Sequence, residues 1–126
     1  MAKTTLNLNS ILVFSEDPKK LAGFYQKVLD RKPDWDHHGY FGFIAGKTAI
    51  TFGPHDKVKG ISKNPERIML NFETKDVKKE FARIKKLGAK VIAQPYQMDM
   101  EGSGWIATFA DPDGNIFQLM TPWEEK

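Results

Sequence analysis

The residues of this chain that could carry acid–base or metal chemistry are few. The chain has no cysteine and three histidines, His37, His38 and His55. Without cysteine there is no disulfide, no thiolate metal site and no cysteine nucleophile. His37 and His38 are adjacent, so on a strand their side chains point to opposite faces and do not ligate one ion together. We interpret the histidines as surface or rim residues; a metal site built from them with Asp36 is the alternative.

A turn near the C-terminus is the most informative local pattern. It reads Asp111-Pro112-Asp113-Gly114-Asn115. Pro112 fixes φ at the first turn position, and residues 113–115 are types that tolerate left-handed backbone conformations. Apolar runs at 105–109 and 116–120 flank the turn, so the pattern predicts a β-hairpin. Gln118 lies in the second of these strands.

Size and composition are those of an ordinary globular protein. The 126 residues are 40% hydrophobic and 28% charged, which favours a single domain over residues 1–126 and argues against intrinsic disorder. The N-terminus has no apolar segment behind Lys3, and no stretch is long and apolar enough for a membrane span. We therefore expect a cytoplasmic protein with no membrane partner.

The net charge of +3 is small, and many of the basic residues gather around one predicted helix near residues 75–90. Acidic residues are interspersed among them, and the same helix has an apolar stripe at Val77, Phe81, Ile84 and Leu87. This pattern is typical of a solvated helix face. We expect no nucleic-acid partner; a nucleic-acid-binding patch is the weaker alternative.

The predicted elements occur twice in the same order. Strand-like residues 8–15 precede a helix capped by Asp17, and strands near 33–38, 40–45 and 48–53 follow, with a hairpin turn at 46–47. A strand near 68–72 precedes a helix capped by Asp76, and strands near 89–94, 104–110 and 115–120 follow. A shift of 59 residues superposes the two aspartates. This predicts a duplicated βαβββ unit of the α+β class, with repeats at about 1–62 and 63–126.

The alternation along the strands separates two faces. One parity is apolar and is expected to pack under the helices, for example Ile50, Phe52, Phe117 and Leu119. The other parity is mixed in polarity and favours a concave face that binds a ligand; an ordinary half-exposed sheet face is the alternative. The mixed set comprises Ser10, Leu12, Thr51, Met69, Asn71, Gln118 and Met120.

Several segments together resemble a known superfamily. The first unit has Asp17-Pro18 followed by Leu21-Ala22, Phe24-Tyr25 and Val28-Leu29, the second has Asp76 and Leu87-Gly88-Ala89, and the chain closes with the turn at 111–115. In this order they resemble the vicinal-oxygen-chelate superfamily, which includes glyoxalases, bleomycin-resistance proteins and dioxygenases. The resemblance covers nearly the whole chain. It implies a cup-shaped mixed sheet with helices on its outer face.

The resemblance also implies positions for a divalent metal ion. Metal-dependent members hold the ion with His, Gln or Glu side chains from the first and last strands of each unit. The matching positions here are Ser10, Thr51, Met69 and Gln118. None is a histidine or a carboxylate, and methionine is a poor ligand for hard or borderline metals. We therefore expect neither a metal ion nor another cofactor.

Aromatic and thioether side chains complete the expected ligand site. Trp35, Phe43, Tyr96, Met98 and Trp105 lie on the short strands and on the connection 94–104, which could act as a flexible lid. Aromatic faces and methionines suit flat apolar or cationic ligands. The alternative for each of these residues is a place in the core.

The function hypothesis is small-molecule binding, with sequestration of an antibiotic or toxin as in the bleomycin-resistance branch. A metal-dependent glyoxalase-type lyase or dioxygenase-like enzyme, with ligands at other positions, is one alternative. A metal-free enzyme that uses Gln118, Asn71, Tyr96 or Asp99 for polarisation and proton transfer is another. The family resemblance further implies a homodimer, because the cups are commonly completed across two units or two chains.

Overall fold

Each half of the chain folds as a strand, a helix and three further strands. A computed structural model describes residues 4–97 and 104–122. The first half contains β1 (Ser10–Phe14), α1 (Pro18–Leu29), β2 (Trp35–His37), β3 (Tyr40–Ala45) and β4 (Thr48–Gly53). The second contains β5 (Met69–Glu73), α2 (Val77–Lys86), β6 (Lys90–Gln97), β7 (Trp105–Ala110) and β8 (Ile116–Met120). The predicted α+β class with two βαβββ repeats is confirmed.

The two helices begin in the same way. Asp17 accepts a hydrogen bond from the Lys20 backbone N–H at 3.2 Å, and Asp76 accepts one from the Lys79 N–H at 3.0 Å. The residue two positions earlier supports each cap, since Ser15 Oγ accepts from the Asp17 N–H and Thr74 Oγ1 from the Asp76 N–H. These side chains satisfy N–H groups that the first helical turn leaves free. The 59-residue shift seen in the sequence therefore superposes equivalent caps.

The chain divides into two compact units, Met1–Gly60 and Ile61–Lys126. The first unit holds a four-stranded sheet in the order β1-β4-β3-β2, and the second a sheet in the order β5-β8-β7-β6. In each sheet the first strand pairs in parallel with the last, whereas the other pairs are antiparallel. Parallel pairing needs a crossover between the strands, and each unit's helix lies in it.

One helix covers one face of each sheet. In the first unit Tyr25 of α1 stacks on Phe52 of β4 with ring centroids 4.8 Å apart. In the second unit Phe81 of α2 stacks on Phe109 of β7 at 5.1 Å, and Phe109 stacks on Phe117 of β8 at 5.4 Å. These rings are buried and dominate each core, because aromatic side chains bury the largest apolar area.

Strand ends differ from the sequence prediction where side chains or proline intervene. The first strand was predicted over 8–15 but spans Ser10–Phe14. It ends at Phe14 because Ser15 already takes part in the cap of α1. β6 was predicted to end near 94 but continues to Gln97. Its pairing with β7 shifts register twice before Tyr96. Pro95 lies in this irregular stretch and has no N–H to donate to a ladder.

Both helices are short. α1 has 12 residues and α2 has 10. Within residues 4–97 and 104–122, no helix has the length and apolar character needed to cross a membrane.

The turn at 111–115 is held by the buried carboxylate of Asp111. Its Oδ1 accepts from the backbone N–H groups of Asp113 (2.9 Å) and Asn115 (3.0 Å), and its Oδ2 accepts from Asn115 Nδ2 at 3.1 Å. Gly114 adopts a φ of 80°, a left-handed conformation that glycine accommodates without strain. The predicted hairpin between β7 and β8 is confirmed, and the carboxylate of Asp111 has a structural role.

Asp111→Ala should lower the free energy of unfolding by about 1–3 kcal/mol, because it removes a charged acceptor of several hydrogen bonds. Urea denaturation measures the change. Asp113→Ala is the matched control in the same turn, because the Asp113 carboxylate accepts no hydrogen bond from any described residue; its effect should stay within about 0.5 kcal/mol. Equal effects of the two substitutions would contradict this account of the turn.

Candidate functional site

The face of each sheet that lies opposite its helix is here called the open face. In the first unit, one row across the open face runs Trp35–Gly42–Thr51–Leu12, since these residues are direct partners on neighbouring strands. Directly paired residues share a face. Thr51 lies between Ile50 and Phe52, both of which are buried on the helix side. The row therefore faces away from α1.

Two aromatic rings rest on glycines of this open face. A Cβ atom placed on Gly42 would lie 1.8 Å from Cε2 of Trp35 and within 2.2 Å of two more indole atoms. A Cβ atom placed on Gly53 would lie 2.3 Å from two ring carbons of Tyr40. Both rings therefore occupy the space that any other residue's side chain would need. Glycine within a strand often marks such a close approach.

The second unit presents a polar row on its open face. Asn71, Gln118 and Thr108 are direct partners across β5, β8 and β7. Gln118 Nε2 donates a hydrogen bond to Thr108 Oγ1 at 3.1 Å. Thr108 is buried at 6% exposure, whereas Gln118 is half-buried and Asn71 is exposed. The neighbouring row contains Met120 and Ile106, which are paired across β8 and β7.

Most of the residues expected to bind a ligand lie on the open faces. In the first unit these are Ser10, Leu12, Trp35 and Thr51. In the second unit they are Met69, Asn71, Tyr96, Gln118 and Met120. Met98, and Asp99 of the alternative enzyme hypothesis, lie outside the described residues. Ligand binding by these residues stays a prediction.

Two expected site residues lie on the helix side, and their assignment is corrected. Phe43 is fully buried, pairs with Ile50 and lies edge-on to Phe52. Trp105 shares its face with Phe109, and the Lys78 ammonium of α2 lies 3.9 Å from its ring centroid. Both positions follow from the two-residue period of a strand. Phe43 points to the other face of its strand from Gly42, and Trp105 points to the other face from Ile106.

The sequence reasoning missed Thr108, Gly42 and Gly53 as parts of the open faces. Thr108 stands between Ala107 and Phe109 in an apolar run, and only the pairing with Gln118 reveals its role. The two glycines carried a usable signal, because a glycine inside an apolar strand indicates that another group packs directly on the backbone. The position of the Tyr40 ring over Gly53 depends on the register of β3 against β4.

The family model of the glyoxalase-like domain matches residues 10–120. The chain belongs to this family. The match starts at the first residue of β1 and ends at the last residue of β8, so it covers both βαβββ units. The resemblance to the vicinal-oxygen-chelate superfamily, stated from the sequence motifs, is confirmed.

Solved structures of similar fold agree with this membership. A glyoxalase/bleomycin resistance protein/dioxygenase family enzyme from Burkholderia phytofirmans PsJN is 23% identical, with a TM-score of 0.74 over 92% of this chain and 98% of that chain. A glyoxalase/dioxygenase from Nostoc punctiforme is 16% identical, with a TM-score of 0.76 over 98% and 97%. The fosfomycin resistance protein FosX from Mesorhizobium loti is 18% identical, with a TM-score of 0.67 over 98% and 95%. Comparison with curated protein sequences gives no match.

The residues that the superfamily resemblance matches to metal ligands do not fit a divalent ion. The matching residues Ser10, Thr51, Met69 and Gln118 offer neutral oxygens and one thioether, which neither neutralise the charge of the ion nor supply imidazole. The part of the chain that the structure describes contains no group of three or more His, Asp or Glu residues able to hold a metal. His38 lies in the turn after β2 with a φ of 51°, and His55 Nδ1 accepts from the Lys57 N–H.

A depression of about 370 Å³ lies in the first unit where β1 and β4 end, lined by residues that include Ser15, Glu16, His55 and Lys59. Its polar groups bond locally. Glu16 accepts from the Gly60 N–H at 2.9 Å, and the Ser15 N–H donates to the Gly53 carbonyl. These contacts hold the loop that follows β4. We therefore assign the depression to the packing of that loop and not to a ligand site.

Gly42→Ala should destabilise the glyoxalase-like domain by about 1–3 kcal/mol, because the new methyl group collides with the indole of Trp35 and overpacks the face. The ring should move off the sheet, which near-UV circular dichroism and urea denaturation detect. Gly23→Ala on α1 is the matched control, because its Cβ would meet no heavy atom within 4 Å. It should stabilise by about 0.5–1 kcal/mol. Wild-type stability and spectra of Gly42→Ala would contradict the placement of the Trp35 ring on Gly42.

Proposed function

We propose that this glyoxalase-like protein binds a small organic molecule on its open faces without using a divalent metal ion. The observation that carries the proposal is the polar row of the second unit. The superfamily resemblance matches Gln118 to the last-strand metal ligand, and in this structure its amide donates a hydrogen bond to the hydroxyl of Thr108. A neutral amide paired with a neutral hydroxyl is suited to hydrogen bonds with an uncharged or weakly polar group.

The surroundings of the row support an organic ligand. Met120 and Ile106 lie in one neighbouring row, and Met69 lies on the other side of Asn71 along β5 at 38% exposure. Binding sites for small molecules commonly combine an apolar wall with a few placed polar groups. Methionine adapts its shape to a bound apolar group. The amides of Asn71 and Gln118 then supply both donors and acceptors that fix the orientation of the ligand.

The names of the similar structures are compatible with binding and with catalysis. FosX is named for fosfomycin resistance, and the Burkholderia protein belongs to a family named for glyoxalase, bleomycin resistance and dioxygenase. Identities of 18% and 23% support only the shared fold. We favour binding because the donor set lacks imidazole and carboxylate. A sequestering role, in which the protein holds an antibiotic or toxin, follows as the finer proposal.

Gln118→Leu provides the test of this function. A thermal-shift screen of amphipathic small molecules first selects ligands that raise the midpoint of unfolding, since a ligand bound to the folded state stabilises it. Gln118→Leu should weaken the selected ligands at least tenfold, because it removes one donor and one acceptor and leaves Thr108 unpaired. Isothermal titration measures the dissociation constants.

Gln26→Leu is the matched control, because Gln26 is exposed on α1 and lies on the helix side of its unit. It should leave the dissociation constants unchanged. A screen without any binder would contradict the proposal. Ligands that bind equally to wild type and Gln118→Leu would show that the polar row is not the site.

The homodimer and the cytoplasmic location expected from the sequence stay predictions. Exposed leucines at positions 6, 8 and 12 leave apolar surface beside β1, which a second chain could cover. Light scattering of the purified protein distinguishes a monomer from a dimer.

A further inference from the structure

Two glycines of the first sheet support the rings of Trp35 and Tyr40 on its open face. Gly42 and Gly53 are both buried strand residues, and the rings of Trp35 and Tyr40 fill the positions that their Cβ atoms would take. A ring that rests on the backbone with one face has its other face turned away from the sheet. Tyr40 is 36% exposed and Trp35 is half-buried, so both rings remain accessible.

The two rings are close enough to serve one ligand. Gly42 pairs with Thr51 on β4, and Gly53 lies two residues further along the same strand. Such diagonal neighbours on adjacent strands are about 7–8 Å apart. A fused pair of flat rings can therefore contact Trp35 and Tyr40 together. Leu12, which is 56% exposed, extends the apolar surface on the far side of Thr51.

The open face of the first sheet has almost no charge. The registers place Ser10, Leu12, Phe14, Trp35, His37, Tyr40, Gly42, Ile44, Ala49, Thr51 and Gly53 on this face. Histidine and tyrosine are the only titratable types among them, and no lysine, arginine or carboxylate is present in this set. Apart from His37, this set of residues offers no ion partner to a charged ligand, whereas stacking on aromatic faces needs none.

We propose that Trp35 and Tyr40 form a stacking platform for a flat, uncharged aromatic ring, and that Gly42 and Gly53 position the two side chains. The proposal rests on the proposed small-molecule function and specifies the ligand class of the first unit. Any larger residue at 42 or 53 would push a ring off the backbone. The glycines are therefore positioning residues, and the rings make the contact.

Two probes of matched size test the proposal. 2-Naphthol is flat, whereas decahydro-2-naphthol has the same carbon skeleton and hydroxyl group but is puckered. Titrations monitored by calorimetry give the affinity of each probe. The NMR signal of the Trp35 indole N–H shows whether the probe binds beside this ring. We expect 2-naphthol to bind at least tenfold more tightly than decahydro-2-naphthol and to shift the Trp35 signal.

Variants separate stacking from simple burial. Trp35→Leu keeps an apolar side chain without a ring face and should abolish the preference for 2-naphthol, whereas Trp35→Phe should retain most of it. Gly42→Ala should also abolish the preference by displacing the indole. Trp105→Phe is the control, because Trp105 lies on the helix side against Lys78, and it should leave both affinities unchanged.

The outcomes distinguish the two proposals. Equal affinities for the two probes, or an undiminished preference in Trp35→Leu, would overturn the stacking platform. If neither probe binds but other ligands bind in a Gln118-dependent manner, the platform is wrong and the proposed function stands. If no small molecule binds to the protein at all, both are wrong.

Discussion

In the part of the chain that the structure describes, each sheet packs against one α-helix, and that helix covers a single face of the sheet. This constraint follows from the βαβββ order, because the crossover helix between the parallel strands packs on a single side. The helix-facing parity carries the rings that make the core, such as Phe52 under Tyr25 and Phe109 under Phe81. The residues of the opposite parity do not pack against the helix and are available for other contacts. Every residue that we assign to binding lies on that second parity.

The open faces of the two units differ in chemistry. In the first unit, Trp35 and Tyr40 rest on glycines and make an apolar, nearly uncharged surface. In the second unit, Gln118 and Thr108 form a hydrogen-bonded pair beside Asn71. The duplicated fold thus carries an aromatic face in one copy and a polar face in the other. In both copies, the positions that the superfamily resemblance matches to metal ligands lack the imidazole and carboxylate groups that a divalent metal ion prefers.

Much of the fold could be predicted from the sequence, because it depends on local signals. Asp17 and Asp76 cap helices, and the hairpin turn at 46–47 joins Ala45 to Thr48 as expected. These features need only neighbouring residues. The two-residue alternation also predicted that Thr51 and Gln118 lie on the other face of the sheet from the buried residues that flank them in the sequence.

The site was harder to predict because it depends on strand register. Phe43 and Trp35 are both aromatic residues on short strands, yet the pairing of Trp35 with Gly42 puts them on opposite faces. Trp105 was grouped with the ligand residues by type, although its parity matches Phe109. The place of Thr108 in the polar row is shown only by its hydrogen bond with Gln118. A one-residue shift in register exchanges the faces, and residue type alone does not fix the register.

Titration of Zn²⁺ into untagged, EDTA-treated and dialysed protein is the sharpest test of whether the glyoxalase-like domain binds a divalent ion. We expect no saturable binding at one ion per chain, because the residues that the superfamily resemblance matches to metal ligands, Ser10, Thr51, Met69 and Gln118, supply neither imidazole nor carboxylate. Calorimetry should give the same heats for the wild type and for Gln118→Leu. Binding of one ion per chain that is lost in Gln118→Leu would contradict the account and would favour a metal-dependent enzyme.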